Sequence, residues 1–302
     1  MVTLSLIIST YNRSESLLRT LGSVIRQSAP ADKWECIVVD NNSTDSTATR
    51  FAEFAELYPA LNLRLVREEK QGLSHARNRG IEESRGEIIA IIDDDETINR
   101  DFIRSYISLF EECPAADAAG GRIIAAYDEG RPRWMSPYVE RPIANPMDFG
   151  NEVRLFPEGR IPGGGNMALR RSTIERIGGF DPALGRTGKS LIGGEENDLF
   201  ERLRRVGGQI YYTPNAVIWH HIPPQKLTTE YRRNLAYKVG ITQRTMAQRS
   251  GSLSSARIKE CAKWVATTLL ALLYLVTLRP RRAFALVAMR LNISRGLFST
   301  VK

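Results

Sequence analysis

The chain is poor in the residues that make small-molecule redox and metal centres by themselves: of 302 residues, three are cysteine and three histidine. Cys36, Cys113 and Cys261 are scattered and odd in number. That spacing excludes a disulfide framework and the paired thiols of a zinc or dithiol centre, and it predicts reduced thiols in a cytosolic compartment. Glycine-rich phosphate loops are missing too. After the first apolar run comes Thr10-Tyr11-Asn12-Arg13 where a dinucleotide fold would place G-x-G-x-x-G, and no Walker lysine loop occurs, which argues against nicotinamide and P-loop chemistry. Met1-Val2-Thr3 leads directly into apolar sequence without a basic n-region, so no secretory signal is expected. Acidic residues are scarce at one end: from Lys226 onward there are two glutamates against fifteen lysines and arginines, whereas the first 225 residues hold 32 acidic and 27 basic side chains. A basic tail on an acidic body predicts an anionic surface as the tail's partner.

What is present is organised around Glu87-Ile88-Ile89-Ala90-Ile91-Ile92-Asp93-Asp94-Asp95-Glu96, an apolar, mostly β-branched run that stops in four consecutive carboxylates. Two carboxylates about 4 Å apart repel by roughly 4 kcal/mol at an effective dielectric near 20, so such a strand end calls for a compensating cation. Mg²⁺ or Mn²⁺ suits hard oxygen ligands and bridges carboxylates to substrate phosphates. A solvated acidic loop that ends the strand is the other reading. An EF-hand is disfavoured, because Ile98 stands where that loop needs its glycine.

Around this run the periodicity alternates between strand and helix. Leu4 to Ser9 reads as a strand, and Leu17, Leu18, Leu21, Val24 and Ile25 follow at helical spacing; Cys36 to Val39 and then Phe51, Phe54 and Leu57 repeat the pattern. Leu61 to Val66 alternates as a strand, and a helix from about Leu73 to Ser84 precedes Gly86. Such alternation predicts a parallel sheet flanked by helices. Between Tyr127 and Pro162 five prolines predict a long irregular excursion that binds something or covers a site. Pro162-Gly163-Gly164-Gly165-Asn166 allows close backbone approach to a ligand. Gly193-Gly194-Glu195-Glu196-Asn197-Asp198-Leu199 reads as a helix start whose carboxylates the helix dipole favours, which explains them without chemistry as well as with it.

Taken together these segments resemble the family 2 glycosyltransferases. The resemblance rests on Ser9-Thr10-Tyr11-Asn12-Arg13, Val39-Asp40-Asn41-Asn42-Ser43-Thr44-Asp45, Ala76-Arg77-Asn78-Arg79-Gly80-Ile81, Asp93-Asp94-Asp95 as the D-x-D motif, Gly164-Gly165-Asn166, Gly178-Gly179-Phe180-Asp181 and Gly194-Glu195-Glu196, in that order. It implies an α/β fold of the GT-A type, a single domain with a mostly parallel central sheet over residues 1–225; beyond the resemblance, residues 226–302 read from their own pattern as a basic helical tail. It implies Thr10, Tyr11, Arg13, Asp40, Arg77, Asp93 and Asp94 around a nucleotide, and Mg²⁺ or Mn²⁺ on Asp95, with His220 and His221 as further candidates whose packing role is an equal alternative. Gly164, Gly165, Asn166 and Trp134 are candidates beside the donor sugar or acceptor, and Glu196 or Glu195 is the implied base, the assignment left open because Glu196 stands where the family usually has aspartate.

The implied reaction is inverting transfer of a sugar from a nucleoside-diphosphate sugar, a UDP-sugar by family frequency, to a hydroxyl of a glycan or lipid-linked acceptor. A nucleotidyltransferase would want a glycine-rich, basic loop after the first strand, which Thr10 to Arg13 does not provide. A non-catalytic sugar-nucleotide binder would leave Glu195 and Glu196 dispensable. In the tail, Trp264 to Leu278 is fifteen residues without charge, about 22 Å of helix against a hydrocarbon core of about 30 Å. With Arg279-Pro280-Arg281-Arg282 after it, the tail predicts attachment to the cytoplasmic face of the cell membrane, peripheral or shallowly inserted, and no nucleic acid, since aromatics are not interleaved with the basic residues.

Overall fold

In the computed structural model, residues 1–187 and 193–300 are described. In chain order the elements are β1 (Leu4–Thr10), α1 (Ser14–Val24), β2 (Trp34–Asp40), α2 (Thr47–Glu56), β3 (Leu63–Arg67), α3 (Leu73–Glu83), β4 (Ile88–Asp93), β5 (Glu96–Ile98), α4 (Phe102–Glu112), β6 (Ala116–Tyr127), α5 (Pro137–Ala144), β7 (Arg154–Leu155), β8 (Met167–Arg170), α6 (Arg171–Ile177), α7 (Glu195–Arg205), β9 (Gln209–Ile222), α8 (Thr229–Arg249), α9 (Leu253–Val276) and α10 (Pro280–Phe298). They form two compact units, the first of residues 1–124, 147–187 and 195–221, the second of residues 125–146, 193–194 and 222–300.

The first unit is built on one mixed sheet in the order β3-β2-β1-β4-β8-β6-β9-β5, with β7 on β9. β1, β2 and the body of β4 are buried along their whole length, which is why they read as unbroken apolar runs rather than alternating ones. Helices α1 and α4 cover the sheet with Leu17, Leu21 and Val24, and with Phe102, Tyr106 and Leu109, at spacings of three and four that keep each set on one face. β1 pairs in parallel with both β2 and β4, and the register sets Thr10 opposite Asp40 and Ser9 opposite Asp93. Three strands therefore deliver their carboxyl ends to one edge, where ligands of open α/β sheets bind. Beyond β4 the pairing is antiparallel at β4–β8 and β8–β6, as it is at β9–β5 and β9–β7. The sheet is thus parallel over β3 to β4 and less parallel overall than helix-strand alternation suggests, because the later strands return without a crossover helix between every pair.

In the second unit, Met135, Val139 and Ile143 from the α5 region pack with Leu235, Leu286, Met289 and Ile293 of α8 and α10. The excursion expected to be irregular therefore contains a helix. Pro137 sits in its first turn, where a missing N–H costs nothing, and the carbonyl that Pro142 leaves without a helical partner belongs to Tyr138, a half-exposed residue that water reaches. The second compact unit begins again at Ile222, and residues 125–146 group with its helices. Buried Glu260 on α9 is held by Arg290 at 3.2 Å and Ser294 at 2.8 Å, so its charge is not left bare in the core.

Helices α8 and α10 cross backbone to backbone at a glycine pair: a Cβ on Gly240 would lie 2.0 Å from the Ile293 carbonyl oxygen. Gly240→Ala is expected to destabilise the protein by about 2 kcal/mol in urea unfolding, as overpacking does. Gly22→Ala, on the face of α1 where a Cβ meets nothing within 4 Å, is expected to be neutral or stabilising by up to about 1 kcal/mol. Equal effects of the two would contradict the close crossing.

Candidate active site

The acidic end of β4 is a network rather than a solvated loop. Asp94 is buried, and its carboxylate accepts from Thr10 Oγ1 at 2.8 Å and from Arg13 Nη1 at 2.9 Å, while its carbonyl accepts from Thr20 Oγ1 at 2.9 Å. Burial pushes Asp94 up to about 6, with Arg13 opposing. Arg13 is itself held above its ordinary range, first by Asp94, and reaches Asp95 at 3.2 Å. Asp94 and Thr10, expected at the nucleotide, bond to each other here, and Asp94 holds Arg13 at the strand end. Tyr11 beside them is exposed. Asp40 accepts from the Ser43 N–H at 3.0 Å and shapes the turn after β2.

Asn41, which sequence reasoning passed over, fastens that turn. Its amide donates to the carbonyls of Glu68 and Lys70 at 3.1 and 2.8 Å and accepts from the Gly72 N–H at 2.7 Å, at the start of α3. An Asx residue directly after a strand carboxylate was the available signal.

Arg77, on α3, is 1% exposed and joins three segments far apart in sequence. Nη1 donates to Glu195 Oε1 at 2.9 Å, Nη2 donates to Asp93 Oδ1 at 3.1 Å and to the Gly164 carbonyl at 3.0 Å, and Phe180 lies under the guanidinium at 5.3 Å. Burial works against its charge, but Asp93, Glu195 and Glu196 outweigh it and raise its affinity for the proton. Arg77, expected at base and ribose, here directs its donors to the two carboxylate clusters and to the Gly164 carbonyl.

At the start of α7, Glu195 is buried with one oxygen on Arg77, and the other, Oε2, has no hydrogen-bond partner among the described residues; neither has Oε2 of Glu196. Two buried carboxylate oxygens without partners cost free energy unless something completes them. Burial, then the neighbouring Glu195, push Glu196 up to about 8, with Arg77 opposing. A group raised from 4.5 to about 8 in the folded state contributes its stability fully below about pH 4.5 and loses it as pH rises through 8. Stability measured from pH 5 to 9 is therefore expected to fall more steeply in wild type than in Glu196→Gln; parallel curves would contradict the shift.

Glu96, counted in the acidic run without a role, is buried and accepts from the Asp93 N–H at 2.9 Å. A Cβ on Gly165 would lie 2.1 Å from Glu96 Oε1, so that glycine is required by this approach. Asn166, expected beside the sugar, is wholly buried: it accepts from Tyr106 Oη at 2.6 Å and donates to the carbonyls of Arg122 and Ala216 at 3.0 Å, which uses its amide inside the sheet. Trp134 lies in the second unit, 4.0 Å from the Arg232 guanidinium.

Of the three candidate metal ligands, β5–β9 pairing brings His220 Nε2 to 3.7 Å from Asp95 Oδ1. His221 donates its backbone N–H to the Asp95 carbonyl, and its ring Nε2 lies 3.0 Å from Thr97 Oγ1. Among the described residues no three His, Cys, Asp or Glu side chains converge as a cage. A carboxylate facing an imidazole fits a Mg²⁺ or Mn²⁺ ion that completes its shell with substrate phosphate oxygens and water.

The profile of glycosyl transferase family 2 matches residues 5–178, the stretch that holds Thr10, Arg13, Arg77 and the acidic end of β4 but not Phe180, the α7 carboxylates or the β9 histidines. The chain belongs to glycosyl transferase family 2. Its fold is the GT-A fold: a mannosyltransferase of Pyrobaculum calidifontis, in complex with GDP-mannose and Mn²⁺, superposes with a TM-score of 0.62 at 20% identity, over 98% of this chain and 87% of that one. A probable glycosyltransferase of Bacillus subtilis, YdaM, is 30% identical over 223 residues, 72% of this chain, and the chain spans only 50% of that relative. A glucosyl-dolichyl phosphate glucuronosyltransferase of Haloferax volcanii is 27% identical over 256 residues, 80% of this chain and 76% of the relative.

Proposed function

We propose that this family 2 member transfers a sugar from a nucleoside-diphosphate sugar to a hydroxyl of a glycan or lipid-linked acceptor, with inversion at the anomeric carbon. The observation that carries the reading is the pair of buried carboxylate oxygens on Glu195 and Glu196 that find no partner among the described residues, tied through Arg77 to the acidic strand end at Asp93. Of the two, Glu196 is the base: Glu195 is engaged with Arg77, and Glu196 holds its proton to about 8, near the ambient pH at which general bases work best. Glu196 takes the acceptor hydroxyl's proton as that oxygen bonds to the anomeric carbon and the bond to the diphosphate oxygen breaks, the electron pair leaving with the nucleotide. One base and no carboxylate placed as nucleophile give a single displacement, hence inversion. A divalent cation at Asp95 and His220 would neutralise the charge gathering on the departing diphosphate.

The donors recorded with structural neighbours, GDP-mannose in the mannosyltransferase and UDP in others, support a nucleotide-sugar donor; the dolichyl phosphate relative supports a lipid-linked acceptor. Membership of the family speaks against the nucleotidyltransferase alternative. The tail's reading as an attachment to the cytoplasmic face of the membrane is supported by α9, where Ile258, Val265, Leu269, Leu272, Leu273 and Val276 stay exposed on one helical face. No helix among the described residues is long and apolar enough to cross a membrane. The test of the reaction is turnover of UDP-, GDP- and dTDP-sugars, with NMR assignment of the new anomeric centre. Transfer with inverted configuration supports the proposal; retention, or turnover of none, overturns it.

A further inference from the structure

The second unit contains a cavity of about 320 Å³ that has no part in the chemistry above. Arg232, Arg233 and Arg281 line it together with Trp134, Phe284 and Met289. Its cationic side is uncompensated: Arg232 donates to the Leu227 carbonyl and to Thr229 Oγ1 and stacks on Trp134, and among the described residues no carboxylate pairs with Arg232, Arg233 or Arg281. Burial, and then Arg233 beside it, hold the Arg232 guanidinium below its ordinary range, the expected state of neighbouring cations that lack an anion. The other side is apolar, with Ala285, Ala288 and Met289 along α10 and Phe284 at the rim, 71% exposed. Leu278, in the turn that leads into α10, is also exposed.

A ligand that satisfies both sides carries a compact, multiply charged anion joined to a hydrocarbon. A free phosphate would leave exposed Phe284 uncovered, and an alkyl chain alone would leave the guanidiniums without an anion. Guanidinium forks match phosphate oxygens, and their weaker hydration suits them to a partly buried site better than lysine. We propose that this cavity is a binding site for the headgroup phosphate of a membrane lipid, with Arg232, Arg233 and Arg281 on the phosphate and the first carbons of the chain against Phe284 and α10. The proposal deepens the membrane reading of the tail and rests on it for the lipid's source, a bilayer. It gives that attachment headgroup selectivity, which a merely basic and apolar surface lacks: charge alone ranks lipids by net charge, whereas a fork-lined cavity prefers a terminal phosphomonoester.

The test uses the full chain and two probes. Dihexanoyl phosphatidic acid, kept monomeric, is titrated against the tryptophan fluorescence, with dihexanoyl phosphatidylcholine and inorganic phosphate as comparisons. Phosphatidic acid is expected to bind at least about tenfold more tightly than either, and the Arg232→Gln/Arg233→Gln double variant to lose about tenfold or more, while Lys259→Gln/Arg295→Gln, which removes the same charge elsewhere on the unit, stays within about twofold. Equal losses in the two double variants, equal binding of inorganic phosphate, or no binding of phosphatidic acid each overturn the site. Circular dichroism and urea midpoints verify that both variants fold. Co-sedimentation with phosphatidylcholine vesicles containing phosphatidic acid or, at matched zeta potential, phosphatidylglycerol then separates the two readings. Monomer binding without vesicle binding removes the bilayer and overturns a membrane lipid as occupant. Vesicle binding that ignores headgroup and the Arg232/Arg233 pair keeps the membrane reading and overturns the cavity.

Discussion

Glu196→Gln is expected to turn over donor and acceptor about 10³-fold more slowly than wild type, with donor affinity within about threefold. Glutamine preserves the volume and one hydrogen-bonding oxygen but cannot accept the acceptor's proton, so the loss falls on the chemical step. Glu195→Gln tests the division of labour. Its amide oxygen still accepts from Arg77, so the geometry survives, but the negative charge that helps raise Glu196 is gone. The ascending limb of the wild-type rate against pH is expected near 8 in the free enzyme and is expected to move to lower pH in Glu195→Gln. If Glu196→Gln keeps wild-type turnover while Glu195→Gln abolishes it, the assignment is reversed.

Arg77→Ala is expected to have the largest effect on the fold around the site, about 3 to 5 kcal/mol, because it leaves buried Glu195 without its cation and strips the Gly164 carbonyl and Asp93 of their donor. Urea unfolding measures this. Since that variant can fail to fold, Arg77→Lys is the informative companion. Lysine keeps the charge but loses the planar fork that reaches Asp93 and Glu195 from separate nitrogens. It is expected to fold, with turnover reduced about 10²-fold and the pH limb displaced, as misplacement of a catalytic group by about 1 Å implies. Wild-type kinetics in Arg77→Lys would show that the guanidinium is only a packing cation.

The core of this arrangement is legible in the chain because it depends on local pattern. Buried parallel strands need unbroken apolar runs, so β1, β2 and β4 announce themselves, and the carboxylates that end them follow from the same register. The α7 start is legible because Glu195 and Glu196 follow glycines at a helix N-terminus. What sequence does not reveal is which side chains are spent on one another. Asp94 and Asp95 are equivalent letters in a run, yet only the pairing with Thr10 and Arg13 turns Asp94 inward. Arg77 sits in a helix 118 residues from Glu195, and no periodicity announces that contact. Asn166 follows a glycine run that signals ligand approach, but the approach is to Glu96, and the asparagine is consumed by Tyr106 and two carbonyls. The excursion misleads for the opposite reason: its prolines break regular structure as a rule, and α5 forms because its apolar residues pack on α8 and α10.

The most direct test of the account is calorimetric binding of nucleotide sugars to wild type and Asp95→Ala, across UDP-, GDP- and dTDP-linked donors, with Mn²⁺ or Mg²⁺ present and again after chelation. The predicted result is one donor that binds wild type only with metal and binds Asp95→Ala at least about tenfold more weakly under the same conditions. Binding indifferent to both chelation and Asp95, or no binding by any donor, would contradict the account.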